Sequence, residues 1–184
     1  SAWAGEYQEL KSLLSDTEYA SARESTLNAH YTSPVIIRSI YEALENMGFE
    51  KGNVLEPAMG IGNFFGMLPG KMQESRLYGV ELDGITGRIA KQLYPKADIK
   101  IFGFEKTNYP NDFFDVAVGN VPFGQYKVAD RQYDKNNFLI HDYFFAKTLD
   151  KVRPGGVVAF VTSKGTMDKK SPEVRKYLAQ RAEL

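Results

Sequence analysis

The sequence has 184 residues, with 23 basic and 23 acidic side chains, and 43% of its residues are hydrophobic. This composition is typical of one domain that can bury a core, and it excludes wholesale disorder. The chain contains no cysteine, which excludes disulfides, thiolate zinc sites and cysteine nucleophiles. Only His30 and His141 could serve as imidazole ligands, so we expect no metal site.

No apolar run is long enough to span a membrane, and the N-terminus lacks the layout of a signal peptide, so we expect a cytoplasmic protein. Zero net charge argues against a free-standing nucleic-acid binder. The charge is uneven, however, because residues 1–50 hold eight acids and three bases, whereas residues 151–184 hold eight bases and three acids. The basic end could contact phosphates, or it could be an ordinary solvated surface.

The first thirty residues have a polar, helical pattern with a break at Ser15 and Asp16, which predicts a helical extension. Pro34 suits a first helical turn. The residues that follow predict a helix that ends at Gly48. Its apolar stripe consists of Ile36, Ile40, Leu44 and Met47.

Strands and helices then alternate along the chain. The predicted strands are 53–57, 76–81, 98–102, 114–120 and 157–162, and the predicted helices are 63–68, a segment capped by Asp83, and 138–149. Such alternation predicts an α/β fold, a mostly parallel sheet covered by helices on both faces. Ligands bind at the carboxyl ends of the strands in these folds, so the functional residues are expected just after each strand.

A glycine turn follows the first strand. Gly60 and Gly62 allow tight turning and close approach of a ligand. A dinucleotide fingerprint would need a third glycine where Phe65 stands, which argues against a nicotinamide cofactor. Glu56, just before the turn, suits a cationic ligand such as the amino-acid end of S-adenosylmethionine.

Two further strand ends carry acids. Glu81, after the second strand, could accept hydrogen bonds from both hydroxyls of a ribose, and Leu82 could lie against an adenine. After the third strand, Phe104 could pack on the adenine and Glu105 could accept from its amino group. The alternatives are an exposed strand-end carboxylate for Glu81 and a core position for Phe104.

The fourth strand ends in Asn120, Val121, Pro122 and Phe123. An exocyclic amine on a nucleobase is a poor nucleophile because its lone pair is delocalised. The Asn120 side-chain carbonyl and the Val121 backbone carbonyl could accept both N–H bonds and localise that lone pair. Phe123 could stack on a base that has been flipped out of duplex DNA.

These motifs carry a family resemblance. Tyr-Thr-Ser-Pro at 31–34, Glu-Pro-Ala-Met-Gly-Ile-Gly-Asn-Phe at 56–64, Gly-Val-Glu-Leu-Asp at 79–83 and Asn-Val-Pro-Phe at 120–123 resemble the ordered motifs of adenine-N6 DNA methyltransferases, such as type I modification subunits. The segments 27–34, 140–145 and 175–184 are similar to the methylase part of large helicase-methylase or antirestriction proteins of phages and conjugative elements.

The resemblance implies a Rossmann-like, S-adenosylmethionine-dependent methyltransferase that acts on adenine N6 in DNA, within a restriction-modification or mobile-element setting. It implies that Tyr31 and Thr32 touch the methionine part of the cofactor. The residues of the glycine turn that would hold the amino acid are Glu56, Pro57, Ala58, Gly60, Gly62 and Phe64. The family usually has proline where this chain has Val121. Its members also continue beyond the position of Leu184, so we expect the core over 31–184 to be truncated. The helical extension over 1–30 is expected to precede this core.

Several alternatives stay open. The planar NH2 could belong to an RNA base, cytosine N4 or a protein glutamine, or the domain could be a degenerate, non-catalytic module that binds cofactor or DNA. Lys164, Lys169 and Lys170 could hold DNA phosphates or belong to a solvated loop. Residues 125–137 could close over the substrate, contact DNA or be mobile. His141 is expected to be structural. The oligomeric state is not predicted.

Overall fold

The computed structural model of the protein describes residues 3–28 and 31–183. Its centre is a five-stranded sheet in the order β3-β2-β1-β4-β5, and every neighbouring pair is parallel. The strands are β1 (Asn53–Glu56), β2 (Arg76–Glu81), β3 (Asp98–Ile101), β4 (Phe114–Asn120) and β5 (Val152–Val161). The predicted parallel sheet is therefore confirmed.

The helices are α1 (Ala4–Leu13), α2 (Asp16–Asn28), α3 (Pro34–Asn46), α4 (Asn63–Gly66), α5 (Gly84–Leu93), α6 (Ile140–Lys151) and α7 (Glu173–Ala179). Single 3-10 turns lie at 70–72, 104–106, 134–136 and 164–166. The break near Ser15 is confirmed, because α1 ends at Leu13 and α2 begins at Asp16. Within the described residues, no helix is both long and apolar enough to cross a membrane.

The strands send alternate side chains to opposite faces of the sheet. Val54 and Val116 pack with the residues of α3, whereas the neighbouring Leu55 and Ala117 pack in the aromatic cluster that contains residues of α6. Helices therefore cover both faces, as the alternating pattern predicted.

The face that α3 buries differs from the prediction. The buried residues of α3 are Ile37, Tyr41 and Leu44, and the predicted stripe residues Ile36 and Met47 are 44% and 67% exposed. Tyr41 can be buried because its hydroxyl donates a hydrogen bond to the Phe64 carbonyl at 2.7 Å. Much of the predicted stripe instead lines a shallow apolar groove of about 310 Å³ beside the edge strand β5.

The start of β5 also differs from the prediction, which placed it at Val157. The strand begins at Val152, and the segment 153–156 forms an irregularity in the pairing with β4. Phe114 pairs with Val152, and Val116 pairs with Val157. The predicted turn at 154–156 is thus accommodated inside the strand.

The N-terminal extension contacts the core at α5. Arg88 of α5 donates to the Glu18 carboxylate at 2.8 Å, and the Ser21 hydroxyl donates to Asp83, the residue that caps α5. Helix α2 therefore lies close to the end of β2, where Glu81 stands. A domain boundary at residue 30 stays a prediction.

Candidate active site

The parallel topology brings three predicted site residues to one edge of the sheet. Glu56 ends β1, Glu81 ends β2 and Asn120 ends β4, and β1 lies between the other two strands. Because the carboxyl ends of parallel strands share an edge, cofactor and catalytic candidates from distant parts of the chain become neighbours.

The glycine turn after β1 is fixed by backbone hydrogen bonds. The Met59 N–H donates to the Val80 carbonyl at 2.9 Å, and the Gly62 N–H donates to the Met59 carbonyl at 2.8 Å. Gly62 has a φ of 87°, and a Cβ there would lie 2.4 Å from the Tyr94 ring. Gly60 has a φ of 56° and open space around its Cβ position. Gly62 is therefore required by conformation and packing, while Gly60 leaves room for a ligand.

Glu56 is the most unusual residue of the site. Its side chain is only 2% exposed, and no described residue gives a hydrogen bond to Oε2. Its Cγ lies 3.5 Å from the Cβ position of Gly119, the residue before Asn120. Burial, and secondarily the nearby charge of Glu81, raise the pKa of the Glu56 carboxyl well above its usual value. A cation or N–H donor bound there would offset this cost.

Glu81 holds the turn in place. Its Oε2 accepts from the Gly60 N–H and its Oε1 from the Asp83 N–H, each at 2.8 Å. Burial raises the pKa of Glu81 despite these hydrogen bonds, which act in the opposite direction. A carboxylate has about four acceptor positions, so the predicted ribose contacts remain available. Leu82, beside it, is 75% exposed.

Two aromatic rings predicted to touch the cofactor lie in the core. Phe104 is 2% exposed, and its ring centroid lies 5.1 Å from that of Phe144 in α6. Phe64 is 1% exposed and packs in the α3 cluster, near Tyr41. Burial of their apolar area against other side chains explains both positions. Both side chains are therefore core residues, and the cofactor contacts assigned to Phe104 and Phe64 stay predictions.

The remaining cofactor candidates differ in their exposure. Tyr31 is 78% exposed and Thr32 is half-buried, both just before α3, while His30 lies outside the described residues. Ala58 and Glu105 are half-buried. Pro57 is buried directly after β1.

The predicted catalytic turn leaves the sheet at the end of β4. Val121 is 1% exposed, and its N–H donates to the Val161 carbonyl at the end of β5 at 3.1 Å. Asn120 and Pro122 are half-buried, and Phe123 is 37% exposed. The backbone is therefore held by the sheet at Val121, with a partly exposed aromatic ring two residues later.

One of the three predicted phosphate contacts has a structural partner instead. The Lys169 ammonium pairs with Asp142, whose side chain is 1% exposed, because a buried carboxylate needs a neutralising partner. Lys164 and Lys170 are exposed. His141, beside Asp142, is 3% exposed, as expected for a structural residue.

Sequence reasoning missed a polar cluster on α6. Lys147, whose side chain is 4% exposed, reaches Asp130 in the segment after the catalytic turn. The sequence gives only an indirect signal, because the predicted helix at 138–149 is mostly apolar but carries the charged residues Asp142 and Lys147. In the described parts of the chain, no group of three or more acidic or histidine side chains could hold a metal ion.

Several solved structures with the same architecture are described as S-adenosylmethionine-dependent methyltransferases. A protein of Listeria monocytogenes described as a class I S-adenosylmethionine-dependent methyltransferase superposes with a TM-score of 0.65 at 18% identity, over 82% of this chain and 51% of that one. The fold is that of the S-adenosylmethionine-dependent methyltransferases. A modification subunit of a type I restriction enzyme from Vibrio vulnificus YJ016 gives a TM-score of 0.62 at 17% identity, over 97% of this chain and 41% of the subunit.

Two curated proteins are similar in sequence. The Defense against restriction protein B of Escherichia phage P1 is 32% identical over 141 residues, which are 74% of this chain and 6% of the phage protein. A type II methyltransferase of Paramecium bursaria Chlorella virus XZ-6E is 32% identical over 104 residues, or 56% of this chain and 26% of that protein. The chain thus spans a small part of both relatives. No protein-family profile matches it.

The residues at the strand ends fit S-adenosylmethionine, the cofactor of this fold class. The donor has a cationic ammonium at its amino-acid end, and Glu56 offers a buried acceptor without a partner among the described residues. The open space at Gly60 allows close approach of the backbone. Glu81 keeps acceptor capacity for ribose hydroxyls.

Proposed function

We propose that this chain is the methyl-transferring core of a DNA methyltransferase that modifies adenine at N6. The observation that carries the proposal is the buried Glu56 carboxylate, which comes just before the glycine turn and whose Cγ lies close to Gly119, the neighbour of Asn120. An acid is unfavourable at that position unless a cationic ligand binds there, and the amino-acid end of S-adenosylmethionine is such a ligand.

In this proposal the cofactor residues act by binding and orientation. Glu56 accepts from the ammonium, Glu81 accepts from the ribose hydroxyls, and Leu82 covers the adenine. Glu105 accepts from the adenine amino group, and Thr32 touches the methionine part. When bound, S-adenosylmethionine supplies an electrophilic methyl group on a sulfonium. These contacts fix its position relative to Asn120, which is a catalytic contribution by orientation.

The residues after β4 act on the target base. The Asn120 side-chain carbonyl and the Val121 backbone carbonyl accept the two N–H bonds of the adenine amine, which favours a pyramidal nitrogen with a localised lone pair. Pro122 stiffens the turn, and Phe123 stacks on the flipped base. Stacking contributes about 1–3 kcal/mol, comparable with the cost of removing a base from the duplex. The hydrogen bond from Val121 to β5 supports this role, because it holds the backbone still.

The names of the similar proteins support DNA as the substrate. They are a protein for defence against restriction, a type II methyltransferase and a type I modification subunit. The exposed Lys164 and Lys170 follow β5, at the same edge of the sheet, and could contact phosphates. A restriction-modification or mobile-element setting is part of the proposal.

A second candidate is a module that binds the cofactor without transferring the methyl group. Val121 favours it, because a β-branched residue stands where the related motif has a proline. A third possibility, methylation of another planar NH2 in RNA, cytosine or protein, has the same chemistry. These candidates are separated by the assay below.

The test uses labelled S-adenosylmethionine with unmethylated DNA, RNA and a glutamine-containing protein, together with calorimetry of donor binding. We expect label in DNA at adenine N6. Asn120→Ala should reduce turnover at least about 100-fold with donor affinity nearly unchanged. Asn46→Ala, at an exposed asparagine on α3, is the matched control. Retained turnover in Asn120→Ala contradicts the mechanism. Donor binding without transfer to any substrate would favour the non-catalytic module.

A further inference from the structure

Lys147 is a buried lysine that the proposed chemistry does not use. It stands in the middle of α6, and its side chain is 4% exposed. Its ammonium donates to the Asp130 carboxylate at 3.0 Å and to the backbone carbonyls of Glu105 and Thr107 at 3.3 Å each. All three of its N–H donors therefore have an acceptor within reach.

These acceptors belong to two segments that flank the candidate site. Glu105 and Thr107 lie in the segment 103–107, which follows β3 and which we name the β3 turn. Asp130 lies in the segment 124–137, which follows the catalytic turn and which we name the motif loop. The two segments approach one ammonium although they are far apart in sequence.

Asp130 is the centre of the contacts that hold the motif loop. Its carboxylate also accepts from the Tyr143 hydroxyl at 2.8 Å, and its backbone carbonyl accepts from the N–H groups of Tyr133 and Asp134. The Tyr133 hydroxyl donates to Asp150 near the end of α6 at 2.6 Å. The middle of the motif loop is thus anchored on α6, while Tyr126, close to Phe123, is 52% exposed.

The buried ammonium makes this connection costly to break. An ammonium shielded from water is tolerated only when its hydrogen bonds are made. Loss of the motif loop would leave its charge without the Asp130 carboxylate, and loss of the β3 turn would leave two of its N–H donors without acceptors. The centroid of the Phe104 ring lies 5.1 Å from Lys147 Nζ, within the range of a cation–π contact. Neither segment can move away independently at low cost.

We propose that Lys147 is a positioning residue that locks the β3 turn to the motif loop, so that the adenine end of the cofactor and the target base keep a fixed relation. This inference rests on the proposed function, because that function places the cofactor adenine at Glu105 and the target base at Phe123. The consequence is that cofactor binding orders the motif loop, and that disturbance of the loop weakens cofactor binding.

Lys151 provides a matched control on the same helix. It lies one turn later, its side chain is also buried, and its ammonium donates to the Asn111 side chain at 2.7 Å. Among the residues that the structure describes, its ammonium makes no hydrogen bond or ion pair with the β3 turn or the motif loop. Lys147→Met and Lys151→Met therefore each remove one positive charge from α6. They differ in the segments whose contacts they break.

The experiment measures amide hydrogen exchange and the affinity for S-adenosylhomocysteine in the full chain. In Lys147→Met we expect faster amide exchange in both the β3 turn and the motif loop. We also expect about tenfold weaker binding of S-adenosylhomocysteine. Lys151→Met should leave both quantities at the wild-type values. Because an unpaired Asp130 could prevent folding, Lys147→Met is also combined with Asp130→Asn, which removes both charges and should give the same two effects.

The proposal is overturned if only one of the two segments exchanges faster, or if Lys147→Met and Lys151→Met weaken binding equally. If the wild-type chain does not bind S-adenosylhomocysteine, the proposed function fails on its own. The exchange rates of the two segments then still decide whether Lys147 connects them.

Discussion

Glu56→Gln should change stability and cofactor binding in opposite directions. The substitution keeps the size of the side chain but removes the charge from a group that is 2% exposed and has one oxygen without a partner among the described residues. An unsatisfied buried polar group costs about 1–3 kcal/mol, and a charged group costs more. At a pH above the raised pKa of Glu56, where its carboxylate is charged, the cost of the buried charge and the repulsion from Glu81 should disappear in the variant. We therefore expect stabilisation of about 1–2 kcal/mol, which is a rise in Tm of roughly 2–8 °C for a chain of this size.

Cofactor affinity should fall in the same variant. A hydrogen bond between two charged groups contributes about 1.5–3 kcal/mol, so loss of the carboxylate should weaken binding of S-adenosylmethionine about 10- to 100-fold. Thermal unfolding and calorimetry measure the two effects on one preparation. Glu74→Gln is the control, because Glu74 is an exposed acid paired with Lys51 and should change neither quantity measurably. A Glu56→Gln protein that is less stable and binds the donor normally would refute the role of Glu56.

The pH dependence of folding stability provides a second test of Glu56. The pKa of Glu56 is raised in the folded protein by burial, so the native state holds its proton at pH values where the unfolded chain has released it. Its contribution to stability is complete below the unfolded pKa, near 4.5, and is lost as the pH rises through the raised folded pKa. Glu56→Gln should remove this decline. An unchanged pH profile would mean that Glu56 is not a buried, protonatable group.

The fold could be predicted because the strands carry local signals. The bounds of β2 and β4 agree with the prediction to the residue, since each is a short apolar run between polar or turn-forming residues. The position of the strand ends at one edge of the sheet then follows from the parallel orientation of the strands. Glu56, Glu81 and Asn120 lie at one edge because parallel strands end at the same edge, and the alternating pattern is sufficient to infer it. The strand order that places β1 between β2 and β4 comes from the structure.

The buried face of α3 could not be predicted in the same way. Ile36, Ile40 and Met47 fit helical periodicity as well as Ile37 and Tyr41 do. The buried face depends on partners outside the helix, which include the strand residues Val54 and Val116 and the Phe64 carbonyl that accepts from the Tyr41 hydroxyl. A tyrosine adds little to an apolar stripe, so periodicity identified Leu44 and the half-buried Ile40 on the core side but missed Tyr41.

The role of Lys147 also depends on partners distant in sequence. Lysine is almost never fully buried unless it is paired, so a lysine on a helix is normally expected in solvent. Its partners Asp130 and Glu105 come from two different segments, and only the folded chain brings them together. The lesson is specific: a charge on a helix that is predicted to be buried indicates a pairing partner elsewhere, even when the sequence does not identify it.

Two further predictions concern stability. Gly62→Ala should cost about 2–4 kcal/mol in urea unfolding, because φ is 87° and the new Cβ would lie 2.4 Å from the Tyr94 ring, whereas Gly60→Ala, with open space around its Cβ, should cost about 1–2 kcal/mol. Equal losses would contradict the close packing assigned to Gly62. The pKa of His141 is lowered from 6.5 by burial, so the native state stays neutral where the unfolded chain gains a proton, and stability should fall as the pH drops below 6.5. His141→Gln should show a smaller loss between about pH 7.5 and about pH 5.5, and an equal loss would mean that His141 protonates freely in the folded protein.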